Sequence, residues 1–100
     1  LLELALQHLT LLNIKYPNHP LILTNIGAIL SDLGKHKEAL AYLESAKPEN
    51  SADRNLVKNM GIVKMNLDNE DLTARTYFDK AKNLQPNELT IEAFFDPHGY

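Results

Sequence analysis

The chain contains no cysteine. Disulfides, thiol nucleophiles and thiolate metal sites are therefore excluded together, although the compartment stays open. Nor is there an apolar run near the roughly 18 residues of a membrane span. The most apolar stretch, Leu21–Leu30, is interrupted by Thr24, Asn25 and Gly27. Basic charge is not in excess: the net charge is -3 and the pI about 5.7. Nucleic acid and anionic membrane surfaces are thus not the expected partners. No initiator Met and no basic segment accompany Leu1, Leu2 and Glu3, so the start does not read as a signal peptide. It reads as a stretch of a longer protein.

Signatures of chemistry are missing too. His8, His19, His36 and His98 show no zinc-binding spacing. Asp68, Glu70 and Asp71 are not embedded in a calcium loop, and helix capping is the better reading of them. There is no glycine-rich phosphate loop and no nucleophile-elbow motif. The tyrosines and phenylalanines read as packing residues. The expectation is a chain that is not an enzyme and needs no cofactor or metal.

What is present is periodicity. An apolar fraction of 44% and a charged fraction of 23% suit one soluble domain of 100 residues. Gly27 and Gly61 stand 34 apart, as do Leu23 and Val57, and Ile26 and Met60. Ala5, Ala39 and Ala74 step by 34 and then 35; Leu9, Leu43 and Phe78 repeat those steps, as do Leu12, Ala46 and Ala81. Pro17 and Pro86 fall 69 apart, the sum of the two steps. One extra residue between Leu67 and Ala74 explains every second step.

These positions resemble the tetratricopeptide repeat, whose 34-residue unit reads W-x2-L-G-x2-Y, then A-x3-F, then P. Leu23-x2-Ile26-Gly27-x2-Leu30 with Ala39-x3-Leu43-x2-Ala46 is one copy. Val57-x2-Met60-Gly61-x2-Lys64 with Ala74-x3-Phe78-x2-Ala81 and Pro86 is the next. Ala5-x3-Leu9-x2-Leu12 with Pro17 is the second half of another. Lys64 stands where an aromatic is usual, Ser51 replaces the proline, and tryptophan is absent. The resemblance implies an all-α, right-handed superhelical solenoid of antiparallel helix pairs. Its organisation would be residues 1–17 as the second helix of a truncated repeat, 18–51 and 52–86 as repeats, and 87–100 as a capping helix and tail.

Local signals agree with that phase. Helices are expected at about 1–16, 20–33, 36–47, 52–67 and 70–84. Pro20 suits a first turn with Asn18 or His19 as cap, and Gly34 a left-handed C-terminus. Ser51 is expected to cap the fourth helix and Asp68 or Asn69 the fifth, with Glu70 and Asp71 in its first turn. Gly27 and Ala39 are small enough to bring two helix backbones close. Leu9, Leu43 and Phe78 are expected to fill the space between repeats. No segment sustains the alternation of a strand.

In tetratricopeptide domains the first helix of each pair lines a concave face that holds another protein or peptide. By register those positions are Leu21, Thr24, Asn25, Ala28 and Ser31, then Asn55, Lys58, Asn59, Ile62 and Met65. Asn25 and Asn59 are expected to stack along the groove and offer amide groups to a partner's backbone. A clamp for a chaperone's terminal carboxylate is not expected, because Lys58 alone supplies a cation where several are needed. The alternative function is a spacer or self-assembly segment. It would work through the apolar ends and the convex face. The leucine-rich N-terminal face is expected to be covered by upstream repeats or by a neighbouring copy, so self-association is one expectation.

Overall fold

A computed structural model describes residues 1–84, and the expected capping helix lies outside them. Five α-helices follow in order: α1 (Leu2–Lys15), α2 (Pro20–Asp32), α3 (His36–Ser45), α4 (Arg54–Leu67) and α5 (Leu72–Lys82). A 3-10 turn, Pro48–Asn50, joins α3 to α4, and no strand occurs among the described residues. The described residues are all-helical.

The helix ends follow from side-chain chemistry. His19 Nδ1 accepts the Leu21 N–H at 3.2 Å, with Pro20 in the first turn. At the other end of α2, Gly34 takes a φ of 83°. This places its N–H on Ser31 O at 2.9 Å and the Lys35 N–H on Leu30 O at 2.8 Å, satisfying two terminal carbonyls. The end of α3 repeats the device with a less suitable residue. Lys47 sits at φ 58° and its N–H reaches Glu44 O at 3.0 Å. The second bond cannot form there, because Pro48 has no N–H.

Two expected boundaries move. The fourth helix starts at Arg54, and its cap is Asp53, whose carboxylate accepts the Asn55 N–H at 2.9 Å. Ser51 instead accepts the Asp53 N–H at 2.9 Å, bracing the turn before the helix. The fifth helix starts at Leu72, with Asp71 as its cap rather than in its first turn. Asp71 takes both the N–H of Thr73, at 2.8 Å, and its hydroxyl, at 2.6 Å. Asp68 accepts the Glu70 N–H at 3.0 Å and organises the preceding turn. In both places the carboxylate nearer the helix wins, since an anion there also meets the positive end of the helix dipole.

Short connections fold α2 back on α3 and α4 back on α5, and each pair closes at a glycine. A Cβ built on Gly27 would lie 2.6 Å from both Cγ and Cδ2 of Leu43 and 3.3 Å from Ala39 O. One on Gly61 would lie 3.1 Å from Cε2 and Cζ of Phe78 and 3.2 Å from Ala74 O. The same three register positions thus meet in both pairs. Leu43 and Phe78 pack onto the glycine of their own pair, a more local role than filling space between repeats.

Helix α4 also packs against both α2 and α3, and α1 packs against α2. The core runs through Leu9, Leu23, Ile26, Leu30, Leu43, Leu56, Met60 and Val63, all buried. Each large side chain contributes about 1.5–3 kcal/mol on leaving water. Lys80 ties α5 to the connection before α4, its Nζ donating to Pro48 O at 3.3 Å and Glu49 O at 3.2 Å.

Candidate functional site

The expected site residues lie on two helices in unequal surroundings. Helix α2 is touched by α1, α3 and α4, and α4 by α2, α3 and α5. The consequence for α2 is burial. Thr24 is 1%, Asn25 4% and Ser31 7% exposed. The Thr24 hydroxyl turns inward along its own helix and donates to Pro20 O at 2.8 Å. Leu21 and Ala28 remain half-buried.

Their counterparts on α4 are open. Lys58 and Met65 are exposed, and Asn55, Asn59 and Ile62 are half-buried. Lys58, Ile62 and Met65 fall at i, i+4 and i+7, which places a cation and two apolar groups on one stripe. Asn59 is not idle, because its Nδ2 donates to Asn55 O at 2.8 Å. The paired grip expected of Asn25 and Asn59 is therefore not laid out here. Asn59 is half-buried with its Nδ2 engaged, and Asn25 is buried at 4% exposure.

The structure brings together a different set of residues. An open groove of about 860 Å³ runs between α1 and α2. Leu1, Leu2, Leu4, Ala5 and Leu11 form its apolar wall, with Gln7 and His8 between them. Ala28, Ile29 and Asp32 of α2 line it as well, with Asn55 of α4. Two of the expected residues, Ala28 and Asn55, are thus shared with it. Leu4 and Leu11 are 66% and 65% exposed, an unusual state for leucines on an ordered helix wall. Asp32 is the one carboxylate of the lining.

A signal for this groove was available. Shifted by one repeat, Leu4 corresponds to Glu38 and Leu11 to Ser45; shifted by two, to Thr73 and Lys80. The leucines occupy places that are polar in both later copies.

Among the described residues no group of three or more His, Asp or Glu could hold a metal ion. The Tyr77 hydroxyl is pushed up from its ordinary range by burial first and by the charges of Glu49, Glu44 and Asp71 after it, which leaves it a neutral packing group. No helix among the described residues is long and apolar enough to cross a membrane. No family model, curated protein or solved structure matches this chain.

Proposed function

We propose that this chain is a tetratricopeptide-like array of stacked helix pairs that binds a segment of another protein. The observation that carries the reading is the duplicated glycine contact. Gly27 against Leu43 and Ala39, and Gly61 against Phe78 and Ala74, meet in the same register one repeat apart. A pair that recurs at a fixed step, with α4 lodged against both helices of the pair before it, is the unit from which helical solenoids grow.

Binding would use the side of α4 that its neighbours leave open. Lys58, Ile62 and Met65 supply one charge and two apolar contacts, and Asn55 and Asn59 flank them with polar groups. Leu21 and Ala28 extend the surface onto α2. Thr24 and Asn25 contribute by shaping α2 and not by direct contact.

The test compares the native chain with Lys58→Glu/Met65→Glu, whose positions are exposed and tolerate charge. Leu72→Glu serves as a control on a distant surface. Proteins captured from the source lysate are identified, and each is then purified and titrated against all three forms by calorimetry. A purified partner lost only with the α4 variant supports the reading. Equal binding to all forms refutes it. The second reading, self-assembly, is favoured by the exposed leucines of α1. It predicts a concentration-dependent dimer in sedimentation velocity that the α4 variant leaves intact.

A further inference from the structure

The connection between α3 and α4 departs from the repeat. Counted 34 residues on from the end of α1 at Lys15, α3 should run to Glu49, yet it stops at Ser45. Pro48 supplies the reason, because the residue before a proline avoids the helical region. Lys47 is turned instead to a φ of 58°, which is strained for a residue with a side chain. The connection then covers residues 46–53, against 16–19 between α1 and α2. Its own bonds are long: the Asn50 N–H reaches Lys47 O at 3.3 Å and the Ser51 N–H reaches Pro48 O at 3.2 Å. A single 3-10 turn of this kind adds little stability by itself.

Two outside contacts hold the segment. Pro48 is fully buried, and its turn packs on α4. Lys80 of α5 supplies the other, with Nζ donating to Pro48 O at 3.3 Å and Glu49 O at 3.2 Å. An ammonium on a long stem can serve two carbonyls at once, and its charge strengthens both bonds. Lys80 forms no ion pair among the described residues, so these carbonyls are its partners there.

This tie is not part of the repeating pattern. The register mates of Lys80 are Ser45 and Leu11. Leucine has no donor, and Ser45 turns its hydroxyl back to Ala41 O at 2.9 Å. The lysine occurs where the repeat fails, opposite the connection that the failure lengthened. It also gives α5, which packs chiefly on α4, a second attachment.

We propose that Lys80 is a latch. Its ammonium holds residues 46–53 as a strained strap closed against α5, and without that charge the strap opens while the helices stay folded. Opening lets Lys47 leave its left-handed conformation, so the strain favours release. The device is independent of binding by α4.

Native-state hydrogen exchange of the whole chain, followed by NMR across low urea concentrations, separates local from global opening. The strap is read at the amides of Asn50, Ser51 and Asp53, and α2 at those of Ile26 and Leu30. Strap exchange is expected to be independent of urea, whereas exchange in α2 should rise with it. Lys80→Met keeps the apolar stem and removes the charge. It should quicken the strap amides by about tenfold, as the loss of bonds to a charged group implies. Lys80→Arg should stay near the native rate. Lys47→Gly, which removes the strain, should slow strap exchange. Strap amides that follow urea together with α2 would show that the segment opens only on unfolding, and would overturn the proposal. Unchanged strap rates in Lys80→Met would overturn it too, as would faster strap exchange in Lys47→Gly.

Discussion

Adding one methyl group at Gly27 sets two opposing effects against each other. Replacing a helical glycine by alanine gains about 1 kcal/mol through the restricted unfolded chain and better helix propensity. Against this, the new carbon would sit 2.6 Å from two atoms of Leu43, with Ala39 O behind at 3.3 Å. Leu43 is fully buried, at 0% exposed, so it cannot turn aside into solvent. Overpacking of this kind costs about 1–3 kcal/mol, and contact with Cγ as well as Cδ2 argues for the upper end. The net expectation for Gly27→Ala is a loss of about 2 kcal/mol. At Gly61 the same methyl meets the edge of a half-buried ring at 3.1 Å. Phe78 has room to tilt, so gain and cost should nearly cancel. Urea unfolding followed by circular dichroism measures both variants. Their melting points should differ by roughly 10 °C for a chain of this size. The double change Gly27→Ala/Leu43→Ala should cost less than the sum of its parts, because each removes the other's conflict. Gly27→Ala behaving as a stabilising helix substitution, or Gly61→Ala proving the more damaging, would refute the close-approach argument.

Lys47 adopts φ 58° at the end of α3, where a side chain is strained and glycine is not. Lys47→Gly should therefore stabilise the chain by about 0.5–1 kcal/mol, seen as a higher urea midpoint at unchanged slope. Asp71 is held below the usual carboxylate range, first by the Thr73 hydroxyl and then by the Thr73 N–H, with Lys64 and the Ala74 N–H adding and burial opposing. A depressed folded pKa means that this cap stabilises the chain above the ordinary carboxylate range. The contribution fades as pH falls below about 4. Thr73→Val should raise the Asp71 pKa in a carboxyl-carbon NMR titration, whereas an unchanged value would remove the hydroxyl from the explanation.

The helices were legible because their signals are local. Pro20, Gly34 and the spacing of Leu23, Ile26 and Leu30 each act within one turn, and the structure places α2 where they point. The glycine contacts were legible for a different reason: a 34-residue step repeats a tertiary contact as a sequence interval. Caps were harder to assign, since Ser51, Asp53, Asp68 and Asp71 are all competent and only geometry chooses among them. Asp53 and Asp71 prevail because each stands one residue before its helix with an N–H two residues ahead.

The burial of Asn25 was not legible in the sequence, because register assigns a face but not what covers it. Asn25 and Asn59 occupy equivalent positions, yet one is 4% exposed and the other half-buried. The two helices have different neighbours: α2 packs against α1, α3 and α4, and α4 against α2, α3 and α5. In a stacked array, equal sequence positions therefore do not carry equal binding capacity. A helix whose polar flank is packed has less of its chemistry accessible. Among the described residues the leucines of α1, rather than the paired asparagines, leave large apolar side chains exposed. Leu4 and Leu11 stand open there at 66% and 65%. A partner that covers them gains hydrophobic stabilisation, whereas one reaching Asn25 would first have to separate α2 from its neighbours.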